Sequence, residues 1–278
     1  MSAPLPERLR THDGLSLHLQ HWPVAAARSV LIVHGLGEHI GRYTHVAAQL
    51  NAWGWQVFGY DQRGHGRSEG QRGGLRAADD LLHDLAAVID AVRAAQPGPL
   101  VLLGHSMGGL VAARFVAGGA GAAWLRPVDA LVLSSPAFDP GMNAGQKLLL
   151  ALLGRLAPSL ALGNGLKPEW ISRDAQVVRN YVADPLVHDR ITPRLTRFIV
   201  DGGEFVRGLA PRWRVPTLLM WAGSDRCVAP SGSADFAAAA PKAVLQSQVF
   251  EPLFHEIFNE PEQAQVFARL QAWLQQHP

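Results

Sequence analysis

Short apolar runs recur along the chain, separated by segments whose apolar positions fall at helical spacing. Val30–Val33, Gln56–Tyr60, Leu100–Leu103, Ala130–Leu133 and Thr217–Trp221 are mostly continuous apolar stretches, the pattern of strands covered on both faces, as in parallel sheets. Leu15–His21 alternates apolar and polar residues behind the turn pair Asp13-Gly14, as a half-exposed edge strand does, and Gln246–Phe250 reads as a last strand. Between them, Asp79–Ala95 sets Leu81, Leu82, Leu85, Val88, Ile89 and Val92 at helical spacing. Gly108–Val116 continues directly from strand into helix, and Pro261–Gln276 carries Val266, Phe267, Leu270, Trp273 and Leu274 on one face. Alternating strands and helices with right-handed crossovers predict a doubly wound α/β fold.

One stretch interrupts this rhythm. From about Phe138 to Arg214 no run reads as a strand, although a parallel crossover needs little more than a dozen residues. Structureless loops of such length are uncommon, so the segment is expected to carry helices of its own, at Gly145–Leu156 and Asp174–Val182. The expected organisation is a core of residues 1–137 and 215–278 with a helical cap, 138–214, lying over the strand ends. Leu148, Leu149, Leu150, Leu152, Leu153, Leu156, Leu160 and Leu162 are too many for the narrow apolar stripe of an ordinary surface helix.

Size and charge narrow the function classes. A chain of 278 residues and 30.0 kDa should expose about 11,700 Å² when folded, against about 43,500 Å² unfolded, which supports a large core without disulfides. With 25 Lys+Arg against 23 Asp+Glu and no basic stripe, no nucleic-acid partner is expected. The lone cysteine, Cys227, excludes an intrachain disulfide. The N-terminal stretch lacks a charged leader running into an apolar segment, and Leu148–Leu153 is too short to span a bilayer. A soluble, cytoplasmic protein is expected.

The sharpest chemical signal is Gly104-His105-Ser106-Met107-Gly108, directly after a strand and opening a helix. This is G-x-S-x-G in the strand–turn–helix setting that presents a nucleophilic serine. The glycines are required because neighbouring backbone crowds so sharp a turn. The plainer alternative is a glycine-rich turn whose serine caps the helix. A serine hydroxyl needs a base, and the base an orienting group. Asp225 and His255 each follow a predicted strand, in the chain order Ser, Asp, His; taken alone, one is equally a turn aspartate and the other a loop histidine. His34-Gly35-Leu36-Gly37 follows an earlier strand, and the N–H groups of Leu36 and Met107 are the candidates for an oxyanion hole, each such donor being worth about 3 kcal/mol.

Competing motifs fail on single positions. Gly35-x-Gly37 is followed by Ile40 where a dinucleotide fingerprint needs glycine, and His255-Glu256 is followed by Asn259 where a zinc-protease helix needs histidine. No metal and no organic cofactor are expected.

With these residues in view, the chain resembles the monoacylglycerol lipase and lysophospholipase-like branch of the α/β-hydrolases. The resemblance rests on His34-Gly35-Leu36-Gly37-Glu38-His39, Asp61-Gln62-Arg63-Gly64-His65-Gly66-Arg67-Ser68, Gly104-His105-Ser106-Met107-Gly108-Gly109, and Ser172-Arg173-Asp174 followed by Tyr181 and Asp184-Pro185-Leu186. It implies a mostly parallel eight-stranded sheet with helices on both faces, a triad of Ser106, Asp225 and His255, and an oxyanion hole at Leu36 and Met107. The implied activity is serine hydrolysis of monoacylglycerols or closely similar single-chain lipid esters to fatty acid and glycerol through an acyl-enzyme, with a broad carboxylesterase or lysophospholipase as the alternative and a peptidase or non-catalytic receptor further off. Asp61 is expected to be structural. Some cap leucines, Leu148, Leu149 and Leu152 among them, are expected either to pack on the core, or to line an acyl tunnel or touch a membrane surface transiently. Activity is expected to fall on acidification, with a midpoint near pH 6–7.

Overall fold

A computed structural model describes residues 5–118 and 121–277. The first four residues of the expected core, which open the N-terminal stretch read above, and residue 278 lie outside the described residues. A strand that the sequence pattern does not mark, β1 (Arg8–Arg10), precedes the expected ones, β2 (Ser16–Trp22), β3 (Ser29–Val33), β4 (Gln56–Tyr60), β5 (Leu100–His105) and β6 (Ala130–Ser134). Two short strands, β7 (Leu162–Gly163) and β8 (Arg190–Ile191), pair only with each other, and β9 (Thr217–Ala222) and β10 (Leu245–Phe250) complete the main sheet. Its order is β1-β2-β4-β3-β5-β6-β9-β10, antiparallel at β1/β2 and β2/β4 and parallel elsewhere. β3, β5 and β6 are buried at every residue, as strands covered on both faces must be.

Helices cover both faces. On one lie α1 (Thr44–Ala52) and the closing α8 (Gln263–Leu274), packed through Val46, Leu50, Leu270 and Trp273 onto Ile32, Val101, Val132 and Met220. On the other lie α2 (Asp80–Ala95) and α3 (Met107–Val116), whose Leu85, Ile89, Leu110 and Phe115 meet Leu31, Leu102 and Leu133. The accessible surface is 11555 Å², close to that expected from the mass.

Between β6 and β9 the chain forms α4 (Ala144–Leu156), α5 (Ala175–Ala183) and α6 (Pro193–Leu209). Two of these occupy the expected positions. α6 was not foreseen, and it departs from the expected cap: Leu195, Phe198, Ile199 and Val206 join the main core. The remaining helix, α7 (Pro230–Ala239), precedes β10. Among the described residues no helix is long and apolar enough to cross a membrane.

The loop Asp61–Ser68 is a structural brace. Asp61 accepts from the N–H groups of Ile40 (2.7 Å) and Arg67 (2.8 Å). Arg63, 2% exposed, meets Asp84 and Asp80 at 2.6 Å and Asp13 at 3.1 Å. Removing one partner of a buried ion group strands the rest in low dielectric. Arg63→Leu is therefore expected to lower the unfolding free energy by about 3–5 kcal/mol, measured by urea denaturation at pH 7.

Candidate active site

The sheet delivers four loops to one place. Val33 lies opposite Gly104, and His105 opposite Ser134, so β3, β5 and β6 end nearly level and the loop at Gly35-Leu36 begins beside Ser106. β9 and β10 end level too, Ala222 opposite Phe250, releasing Asp225 and His255 at the same carboxyl edge. Such edges are where ligands bind in open α/β sheets.

Ser106 stands on the turn between β5 and α3 with φ 53° and ψ −123°, a conformation costing a non-glycine residue roughly 1–3 kcal/mol. The turn is so tight that a Cβ at Gly104 would lie 2.5 Å from the Gly108 carbonyl oxygen, and one at Gly108 would lie 2.1 Å from that of Val33. Those contacts explain the flanking glycines. The Ser106 N–H donates to the Ser134 carbonyl (2.9 Å), and its own carbonyl accepts from Ala137 N–H (3.0 Å). The residue is thus pinned through both its backbone N–H and its carbonyl.

Ser106 Oγ lies 2.8 Å from His255 Nε2, and His255 Nδ1 lies 2.7 Å from Asp225 Oδ2. Nδ1–H donating to the carboxylate leaves Nε2 free to accept the serine proton. Asp225 also serves its own turn, its Oδ1 accepting from the N–H groups of Cys227 (2.8 Å) and Val228 (3.1 Å). Burial works against charge on His255, but the charge and hydrogen bond of Asp225, helped by Glu256 and Glu38, outweigh it and hold the imidazole above its ordinary value of 6.5. His105, next to Ser106, is pushed down to about 4 by burial and by neighbouring His255, so it stays neutral. Burial and Asp225 push the Cys227 thiol up, keeping it protonated, although its sulfur and the Asp225 and His255 ligand atoms all lie within 4.8 Å of one another.

An ion group supports this triad; Glu38 and Glu256 stand in the motifs above, whereas nothing in the sequence marks Arg42. Arg42 bonds Glu38 Oε2 (2.6 Å) and grips Glu256 with both terminal nitrogens (2.6 and 2.7 Å). Glu38 Oε1 accepts from Gly35 N–H (2.6 Å) and Tyr43 O–H (2.7 Å). One guanidinium therefore ties the Gly35-Leu36 loop to the residue following His255. Arg42 outweighs the burial of Glu38 and draws its carboxyl down to about 2. The segment between β6 and β9 is anchored nearby through His39 Nε2 and Asp184 Oδ2 (2.8 Å), and through His188 N–H donating to the Gly37 carbonyl (2.8 Å).

Two cavities meet at Ser106 and share Leu36, Asn164, Leu166 and Cys227. One, about 430 Å³, has Glu38, Tyr181, Asp184, His188 and Glu256 in its lining beside Leu166, Ile171 and Val187. The other, about 440 Å³, is mainly apolar, with Met107, Met142, Trp170, Ile191, Ile199 and Val228. The expected acyl-lining role of Leu148, Leu149 and Leu152 is corrected here. They are 74%, 55% and 55% exposed and line neither cavity. α4 turns Leu150, Leu153 and Gly154 inward, Gly154 facing Arg197 of α6, which leaves those leucines on its outer side.

A serine on this strained strand–helix turn, hydrogen-bonded to a histidine and aspartate delivered by the last two strands of a parallel sheet, defines the α/β-hydrolase class. The model of the family described as serine aminopeptidase, S33, matches residues 25–262, and the chain belongs to that family. A monoacylglycerol lipase from Mycolicibacterium smegmatis is 34% identical over 89% of this chain and 88% of its own length. The solved structure of Paleococcus ferrophilus monoacylglycerol lipase is 32% identical, with a TM-score of 0.83 over 93% of this chain and 98% of that one. An uncharacterized abhydrolase domain-containing protein of Dictyostelium discoideum is 32% identical over 96% of this chain, which spans 28% of that longer protein.

Proposed function

We propose that the protein is a serine hydrolase of monoacylglycerols and similar single-chain carboxylic esters. The observation that carries this reading is the continuous Ser106–His255–Asp225 hydrogen-bond chain where two cavities meet. The cavity of Met142, Trp170 and Ile199 suits an acyl chain, and the one whose lining includes Tyr181, Asp184 and His188 offers hydrogen-bonding groups to a glycerol. Two relatives named as monoacylglycerol lipases, each matching most of this chain, support it.

In this reading His255 Nε2 takes the Ser106 proton as Oγ attacks the ester carbonyl, and Asp225 stabilises the imidazolium. The N–H of Met107, in the first turn of α3 and so without an intrahelical partner, and that of Leu36 face the oxyanion. As the tetrahedral species collapses, the imidazolium gives its proton to the departing alkoxide, releasing the alcohol. Water then attacks the acyl-enzyme with His255 as base, freeing the fatty acid and restoring Ser106. An aminopeptidase would need a free carboxylate for the substrate ammonium, whereas of those lining the cavity Glu38 and Glu256 are paired with Arg42, Asp184 with His39 and Asp189 with Arg190. That commitment favours esters. The exposed Leu148, Leu149, Leu152 and Leu156 suit transient contact with a lipid surface.

The test is a comparison of 2-monoacylglycerol, lysophosphatidylcholine, p-nitrophenyl esters and an aminoacyl amide. The reading predicts the highest kcat/KM for the first, and fastest cleavage of the amide would refute it. Two variants refine it. Thr196 lines the apolar cavity, and Thr196→Phe is expected to remove room for several methylenes, each worth about 0.8 kcal/mol. Long-chain kcat/KM should then drop by one to two orders of magnitude relative to butyrate. Glu256 helps hold the His255 imidazole up, so Glu256→Gln should move the acid limb of kcat/KM to lower pH.

A further inference from the structure

A third cavity, of about 520 Å³, lies on the other side of α6 from Ser106. Thr196 and Ile199 of that helix face the apolar cavity. Arg194, Arg197, Asp201 and Phe205 recur at the spacing of a single helical stripe and line the third one, joined by Arg114 of α3 and by Asp79. Three arginines and two aspartates thus line it, and the arginines are poorly compensated. Arg114 lies with its guanidinium carbon 4.1 Å from the centre of the Phe205 ring, and among the described residues no carboxylate lies within 4 Å of it. Arg194 gives one N–H to the Leu75 carbonyl (2.8 Å) and forms no ion pair among the described residues. Arg197 has Asp201 at 3.8 Å, with both side chains about half exposed or more. Burial pulls the Arg114 pKa below its ordinary value, against the pull of Asp79, the mark of a desolvated cation short of negative charge.

We propose that this cavity is an accessory binding site for a single-chain amphiphile with an anionic head, a carboxylate or a phosphate. Arg114, Arg194 and Arg197 take the head-group oxygens, as guanidinium forks do, and the chain lies along Phe198 and Phe205 toward the exposed leucines of α4. The site is separate from the chemistry at Ser106 and does not depend on it.

The experiment is calorimetric titration of the full chain with dodecyl phosphate, with dodecanoate and with inorganic phosphate, the amphiphiles below their micelle concentrations. Ser106 is first reacted with a long-chain fluorophosphonate so that the cavities beside it are filled. At least one amphiphile is expected to bind with one-to-one stoichiometry, and its identity fixes the head group. Loss of one charge-assisted contact should weaken it about tenfold or more in Arg114→Gln and in Arg197→Gln. Arg126→Gln, outside the cavity, should leave it unchanged, and butyrate ester hydrolysis should be unaltered in all three. Inorganic phosphate should bind at least about tenfold more weakly than dodecyl phosphate. Unchanged affinity in both cavity variants, or no binding once the Ser106 cavities are filled, would overturn the site. Equal affinity for inorganic phosphate would overturn its assignment to an amphiphile. If Ser106 resists the reagent, the same titrations on unreacted protein still decide through the arginine dependence, so the two readings fail separately.

Discussion

Ser106→Ala is expected to leave a folded protein that hydrolyses a monoacylglycerol at least about 10⁴-fold more slowly than the parent. The methyl group removes the only atom through which His255 Nε2 reaches the substrate carbonyl, while Gly104, Gly108 and the Ser134 carbonyl still shape the turn. The backbone there is strained at φ 53°, and alanine adopts this conformation no more readily than serine, so the melting temperature should change little. Steady-state kinetics with a coupled glycerol assay measures the loss. Retention of more than about one per cent of the activity would show that another group attacks.

Asp225→Asn should cost on the order of 10⁴ in kcat while preserving the loop. The amide oxygen can replace Oδ1 as acceptor for the Cys227 and Val228 N–H groups. The amide N–H₂, however, faces His255 Nδ1 and forces the proton to Nε2, where it blocks acceptance from Ser106. Substitution also removes the carboxylate that raises the His255 pKa. Residual activity should therefore persist to lower pH than in the parent. In the parent, the imidazole sits above 6.5, its protonated form dominates below that raised value, and activity is lost as pH falls through it. A near-normal kcat, or an acid limb that does not move, would remove Asp225 from the mechanism.

The catalytic constellation was legible because each part is announced locally. A pentapeptide with two obligatory glycines marks the serine, and the Asp and His each follow a strand whose apolar run is unmistakable. The Glu38–Arg42–Glu256 group was hidden for the opposite reason, since Arg42 and Glu256 are 214 residues apart and neither is unusual where it stands. α6 escaped because Gly202-Gly203 interrupts the apolar stripe of Leu195, Phe198, Ile199 and Val206, at a cost of about 1 kcal/mol per glycine. Gly203 is needed there, since a Cβ would lie 2.3 Å from the Phe138 carbonyl oxygen. The leucines of α4 show the limit of composition: a run of apolar residues announces burial or contact without saying which face meets what. The apolar cavity is instead lined by residues scattered from Leu36 to Val228, and its apolar wall of Met142, Trp170, Ile191, Ile199 and Val228 does not stand out in the segments that supply it.

The most direct test of the account is covalent labelling by a fluorophosphonate, read by peptide mass spectrometry together with its rate. The account predicts one adduct, on Ser106, abolished in Ser106→Ala and slowed by at least about three orders of magnitude in His255→Ala. Labelling of a different residue, or of Ser106 at the parental rate without His255, would contradict it.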